Sequence, residues 1–115
     1  MLATPFHAAL LWPAPGIGLV EVSGEVDMNT AQELEAALAV ALQGRPERLI
    51  VDLGAVGFID SVGLSVLAQN AKLAFAHGAS FEIVCADAGT LRTFEITGLR
   101  DVLVFHASRG DALGG

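Results

Sequence analysis

The chain has 115 residues, 53% of them apolar and 17% charged, with thirteen acids against six Lys and Arg for a formal charge of −7. That size fits one compact domain with its own core. The acidic balance argues against a surface built on phosphate neutralisation, so nucleic acid is not an expected partner. The longest apolar stretch, Ala36 to Leu42, falls far short of the roughly 18 residues of a membrane span, so no membrane partner is expected. Met1 to Gly16 carries no Lys or Arg ahead of its short apolar segment. It lacks the charged leader of a secretory signal, and a cytoplasmic location is expected. One cysteine, Cys85, excludes both an intrachain disulfide and a structural zinc cluster.

Taken in chain order, Pro13-Ala14-Pro15-Gly16 and Gln43-Gly44-Arg45-Pro46 are turn-rich breakers that divide elements, not domains. Gly18 to Ser23 alternates apolar and polar residues, the pattern of a strand with one buried face, and His7 to Trp12 is expected to pair with it as a hairpin. Thr30 with Glu33 forms a capping-box pattern before Leu34, Ala37, Leu38, Ala41 and Leu42, which predicts an amphipathic helix. Leu49 to Leu53 is a nearly continuous apolar run, as in a central strand covered on both faces. Gly54 to Asp60 then leads into a second helix that starts near Ser61, buries Leu64, Leu67, Ala68, Ala71 and Ala74, and stops at Gly78. Phe81 to Cys85 repeats the apolar strand pattern. Asp87 caps a short helix through Ile96 that ends at Gly98, and Val102 to Phe105 reads as the last strand. The tail from Ser108 to Gly115 is too short and glycine-rich for a long helix. Strands alternating with helices predict an α/β fold, a mixed but mostly parallel sheet of four to five strands with helices packed against it, in a single domain over 1–115.

The segment Phe58-Ile59-Asp60-Ser61-Val62-Gly63-Leu64 puts a hydroxyl where a strand unit turns into a helix. Asp60 or Ser61 there serves at least as an N-cap. A phosphate on Ser61 would also be tolerated, because a helix N-terminus accepts anions. A hydrolase would want Gly-x-Ser-x-Gly, but Ile59 occupies the first glycine position, and nothing in the spacing of His7, His77 and His106 selects a base. The histidines form no metal-ligand pattern and are expected at the surface or rim. Gly54, Gly57 and Gly63 make no phosphate-cradling loop, since no lysine accompanies them. No cofactor, metal or catalytic residue is therefore expected. Glu25 and Asp27 are expected on the same loop-rich edge as Asp60, where an acidic turn needs no function beyond solvation. Cys85 reads as inert core, and Trp12 and the phenylalanines as core and hairpin packing.

Three blocks carry a resemblance. Gly24-Glu25-Val26-Asp27 with Thr30-Ala31 resembles the opening of STAS domains. Leu49 to Leu53 leading into Asp60-Ser61-Val62-Gly63-Leu64 resembles the strand and Asp-Ser-x-Gly-Leu helix start of bacterial anti-sigma factor antagonists. Phe94-Glu95-Ile96-Thr97-Gly98-Leu99 is similar to that family's late helix and turn. The resemblance spans about residues 18 to 107. It implies a regulatory domain that, unmodified, captures an anti-sigma factor acting as a serine kinase and so frees a sigma factor, with a phosphatase to reset it. It implies phosphorylation at Ser61 and partner contact through Asp27, Asp60, Ser61, Val62 and Gly63. Val62 departs from the family's usual Ser or Thr, leaving Ser61 as the only hydroxyl before Ser65, and the short tail departs from a longer final helix. The alternative reading is a STAS sensor or scaffold module that binds a small ligand or a signalling complex without phosphorylation; an apolar pocket would favour it.

Overall fold

The computed structural model describes residues 5–114. Residues 1–4 and 115, the ends of the single domain expected over 1–115, lie outside the described residues. Strand β1 (His7–Ala14) pairs antiparallel with β2 (Ile17–Val26). Gly16, at φ +77°, takes the left-handed position of the two-residue turn between them, with Pro15 before it. Helix α1 (Ala31–Gln43), strand β3 (Arg48–Ile59), helix α2 (Ser61–Ala76), strand β4 (Ser80–Val84), helix α3 (Ala88–Ile96), strand β5 (Val104–His106) and a short helix α4 (Arg109–Leu113) follow. The strands lie in the order β1-β2-β3-β4-β5, and β2 through β5 run parallel. Among the described residues no helix is long and apolar enough to cross a membrane.

The apolar run in β3 has the cause expected of it. Leu49, Val51 and Leu53 face a core shared with Leu34 and Leu38 of α1, Leu64 and Leu67 of α2, and Phe94 of α3. Ile50 points the other way, into a smaller cluster with Leu19, Val84 and Ala112 of α4. Parallel strands joined by right-handed crossovers place successive helices on one face, so α4 is left to cover the other.

Several expectations need correction. Gly54 to Ile59 is not a lead-in loop but the continuation of β3, paired with β2 as far as Val26 and Ile59. Pairing of β3 with β4 ends at Asp52 and Val84, so the last part of β3 and the end of β2 form a two-stranded ribbon. The capping box before α1 does not form: the Thr30 hydroxyl accepts from Asp27 N (3.0 Å) and donates to Glu25 O (2.9 Å), and so closes the preceding loop instead. The last strand starts later than expected, because a 3-10 turn over Leu99–Asp101 follows Gly98. The tail, as expected, makes no long helix, only the five residues of α4.

The histidines are not all at the rim. His106 is half-buried, its Nε2 2.8 Å from Oε1 of Glu82, an acid the sequence had hidden within an apolar strand. Glu82 is 5% exposed and also accepts from Arg48 Nε and Nη2, both at 2.7 Å, and from Ser80 Oγ at 2.7 Å. Burial alone would push this carboxyl up; the hydrogen bonds from Arg48, Ser80 and His106 outweigh it and bring the pKa down to about 2. Arg48 Nη2 also donates to Ala112 O (2.7 Å), and Arg109 Nε donates to Asp52 Oδ2 (2.9 Å). Two arginines thus pin α4 to the sheet. Nor are the aromatic residues all packed inside: Phe81 and Phe94 are buried, whereas Trp12, Phe58 and Phe75 are 43 to 51% exposed. Trp12 lies over Gly18 and Gly44.

Candidate functional site

The β2-β3 ribbon ends in the segment that the sequence singled out. Asp60 N donates to Val26 O (3.0 Å), which continues the ribbon by one bond and brings the acids after β2 beside the start of α2. Asp60 has extended backbone, and its Oδ1 accepts from Gly63 N at 3.0 Å. Asp60 is therefore the N-cap, and Ser61 is the first helical residue. That division leaves Ser61 with no structural duty. Its side chain is exposed, and its hydroxyl enters no hydrogen bond among the described residues.

Gly63 is buried. A Cβ built there would lie 2.6 Å from Val26 Cγ1 and 2.8 Å from Ile59 Cγ1. Only a residue without a side chain lets the first turn of α2 rest on the ends of both strands, so Gly63 shapes this surface from beneath. Val62, one residue earlier, turns outward at 41% exposure.

Asp27 is half-buried and holds the neighbouring loop. Its Oδ1 accepts from Asn29 N (2.9 Å) and Thr30 N (3.2 Å), a side-chain turn that Asp forms readily. Glu25 is exposed and lies in register with Phe58. The expected gathering of Glu25, Asp27 and Asp60 on one edge is what the register produces. Sequence reasoning missed Phe58, 51% exposed, and Met28, 73% exposed, at the same end of the sheet. The signal available was that Phe58 breaks the alternation of a buried strand beside the Asp-Ser pair.

Chemically, the edge offers a free hydroxyl and the unpaired amides of a helix start within an acidic surround. It offers no activated nucleophile, since no base is hydrogen-bonded to Ser61 among the described residues, and His106 is engaged with Glu82 on the other face. No group of three or more His, Cys, Asp or Glu among the described residues is placed to hold a metal ion. Cys85 is buried, and burial pushes its thiol pKa up.

A mixed five-stranded sheet with its long helices on one face, and a capped helix start at the carboxyl edge of the central strand, defines a small α/β domain. The sequence pattern of the STAS domain matches residues 13–112, and the chain belongs to that family. It is 32% identical over 100 residues to the anti-sigma-F factor antagonist RsfB of Mycobacterium tuberculosis, covering 87% of this chain and 81% of that protein. It is 33% identical over 91 residues to the anti-sigma-B factor antagonist of Staphylococcus aureus, covering 79% and 82% respectively. The crystal structure of an anti-sigma factor antagonist from Mycobacterium paratuberculosis superposes with a TM-score of 0.87 at 33% identity, over 98% of this chain and 97% of that one. These relatives are named as regulators, and likeness to them supports an anti-sigma factor antagonist role.

Proposed function

We propose that this chain is a cytoplasmic anti-sigma factor antagonist controlled at Ser61. The unmodified form docks on an anti-sigma factor that is also a serine kinase, through the edge formed by Asp27, Asp60, Ser61 and Val62 over Gly63, and the sigma factor is released. Phosphate on Ser61 ends the binding, and a phosphatase restores it. The observation that carries this reading is the freedom of the Ser61 hydroxyl: Asp60 does the capping, so Ser61 is exposed and, among the described residues, unbonded at a helix start, where an anion is tolerated.

Two ways for the phosphate to act can be separated by magnitude. At the first residue of a helix a negative charge is stabilising by about 0.3–1 kcal/mol, so phosphorylation leaves α2 folded. Pressed into a dry interface beside Glu25, Asp27 and Asp60, the same group of about −1.5 to −2 charge meets like charges and loses its hydration, at several kcal/mol. Moving a bound fraction from 99:1 to 1:99 takes about 5.5 kcal/mol. Electrostatic exclusion is therefore sufficient, and unfolding is not required.

The test is intact mass after incubation with the cognate anti-sigma kinase and ATP. The parent should gain one phosphate and Ser61→Ala none, and the phosphorylated parent should no longer co-purify with the kinase. A phosphate that persists in Ser61→Ala, or no phosphate on the parent, removes the switch.

A further inference from the structure

Strand β3 outruns its neighbour. Its pairing with β4 ends at Asp52 and Val84, and Cys85 N then donates to His106 O (2.9 Å), which carries that chain away toward β5. β3 itself continues to Ile59. Gly54 N is closed off by Asp52 Oδ1 at 2.8 Å. Beyond it, the backbone of Ala55 to Ile59 makes no hydrogen bond to any element but β2 among the described residues. A strand carries N–H and C=O groups on both of its sides, so the side that β4 leaves is an open sheet edge.

Open edges are normally blunted by charge, proline or a covering element. From Leu53 to Ile59 the sequence holds no charged residue and no proline. Gly54, Ala55, Gly57 and Phe58 are exposed, and at the two glycines it is the backbone that is exposed. The register passes from Gly24 opposite Val56 to Glu25 opposite Phe58, which leaves Gly57 without a partner on β2. A Cβ at Gly57 would meet nothing within 4 Å. Glycine within a strand marks a place where another backbone can come close, and here Phe58 stands beside it at 51% exposure.

We propose that the anti-sigma factor docks by adding an extended segment to this edge, about five residues without charge, hydrogen-bonded to the backbone of Ala55 to Ile59 and packed on Phe58. The inference rests on the chain being an anti-sigma factor antagonist, and it adds how the partner is held. The edge stops two residues before Ser61, within about 8 Å along the chain. A strand laid there dries the start of α2, so a phosphate on Ser61 would have to shed its hydration for the strand to stay. A second copy is the poorer occupant. Two copies related by a two-fold axis at Val56 would align the whole uncharged run. Each Asp52 would then stand opposite the other copy's Asp60, like charges face to face between chains of −7.

The test uses the full unphosphorylated chain and the cognate anti-sigma kinase without ATP. Amide hydrogen exchange, resolved by residue, should slow by about tenfold or more in the complex within Ala55 to Ile59, as new backbone hydrogen bonds imply. Gly57→Pro removes an N–H and places a ring at the edge, and calorimetry should show it binding at least about tenfold more weakly. Gly57→Ala keeps the N–H and should bind within about twofold of the parent. Should Gly57→Pro not fold, the exchange arm decides alone. A complex in which these amides exchange as in the free chain, or in which the Pro and Ala variants bind alike, overturns strand addition, while loss of that complex on Ser61 phosphorylation would leave the switch standing. No complex with the unphosphorylated chain sinks both. Protection of the same amides by self-association without the kinase would make a second copy the occupant and refute the assignment.

Discussion

Replacing Gly63 by alanine sets two effects of opposite sign against each other. Ala is favoured over Gly inside a helix by about 1 kcal/mol, so on local propensity the variant should be more stable. Against this, the new Cβ would sit 2.6 Å from Val26 Cγ1 and 2.8 Å from Ile59 Cγ1, where carbon contacts settle near 3.5–4.0 Å. Neither neighbour can yield toward solvent, since Val26 is 0% and Ile59 6% exposed. Overpacking of a well-filled core costs about 1–3 kcal/mol. With two contacts compressed at once we take the upper value, which leaves a net loss of about 2 kcal/mol. Urea unfolding followed by far-UV circular dichroism measures it, with Gly57→Ala as the reference. A Cβ at Gly57 meets nothing within 4 Å, so that change should be neutral or stabilising by up to about 1 kcal/mol. Val26→Ala in the Gly63→Ala background should cost less than it does in the parent, because it opens the space the new methyl needs. A Gly63→Ala protein as stable as the parent, with an unchanged denaturant slope, would refute the claim that glycine is required for α2 to seat on the strands.

Other outcomes follow from the same contacts. Asp60→Ala should cost about 0.5–2 kcal/mol by leaving Gly63 N without its cap, and Asp60→Asn should recover most of it; equal losses in the two variants would mean that the cap is not what matters. Ser61→Asp should unfold at slightly higher denaturant than Ser61→Ala, by about 0.3–1 kcal/mol, yet bind the anti-sigma factor more weakly; equal binding of the two would undo electrostatic exclusion. Glu82 has its pKa lowered from 4.5 to about 2, so its contribution is fully present above its unfolded value and is lost as pH falls from about 4.5 toward 2. That fall amounts to roughly 3 kcal/mol, and Glu82→Gln should flatten the acid limb of a stability profile. An unchanged limb would place the acid sensitivity elsewhere.

Much of the candidate edge was legible because its signals are local. Asp-Ser before an apolar helical pattern marks a capped helix start wherever the chain lies, whereas Gly24 to Val26, which read as the start of a loop, are the paired end of β2 and only Asp27 lies beyond it. The misreadings share a physical cause. Thr30 and Glu33 have capping-box spacing, but the hydroxyl found a better partner in the backbone of Asp27 and Glu25. Gly54 to Ile59 carries two glycines and looked like a loop, yet pairing with β2 holds it extended. Glu82 was overlooked because a single acid within an apolar run looks like an exception, while its partners Arg48 and His106 are remote in sequence.

Composition and periodicity by themselves determined the α/β class, the order of elements and the helix that begins at Ser61, because each depends on residues within a turn or two of one another. The tertiary structure alone decided that Asp60 rather than Ser61 carries the cap, that Gly63 lies under Val26 and Ile59, and that α4 is clamped by Arg48 and Arg109. Those are contacts between segments far apart along the chain, set by strand register and helix packing, and no local pattern encodes which side chains will meet there.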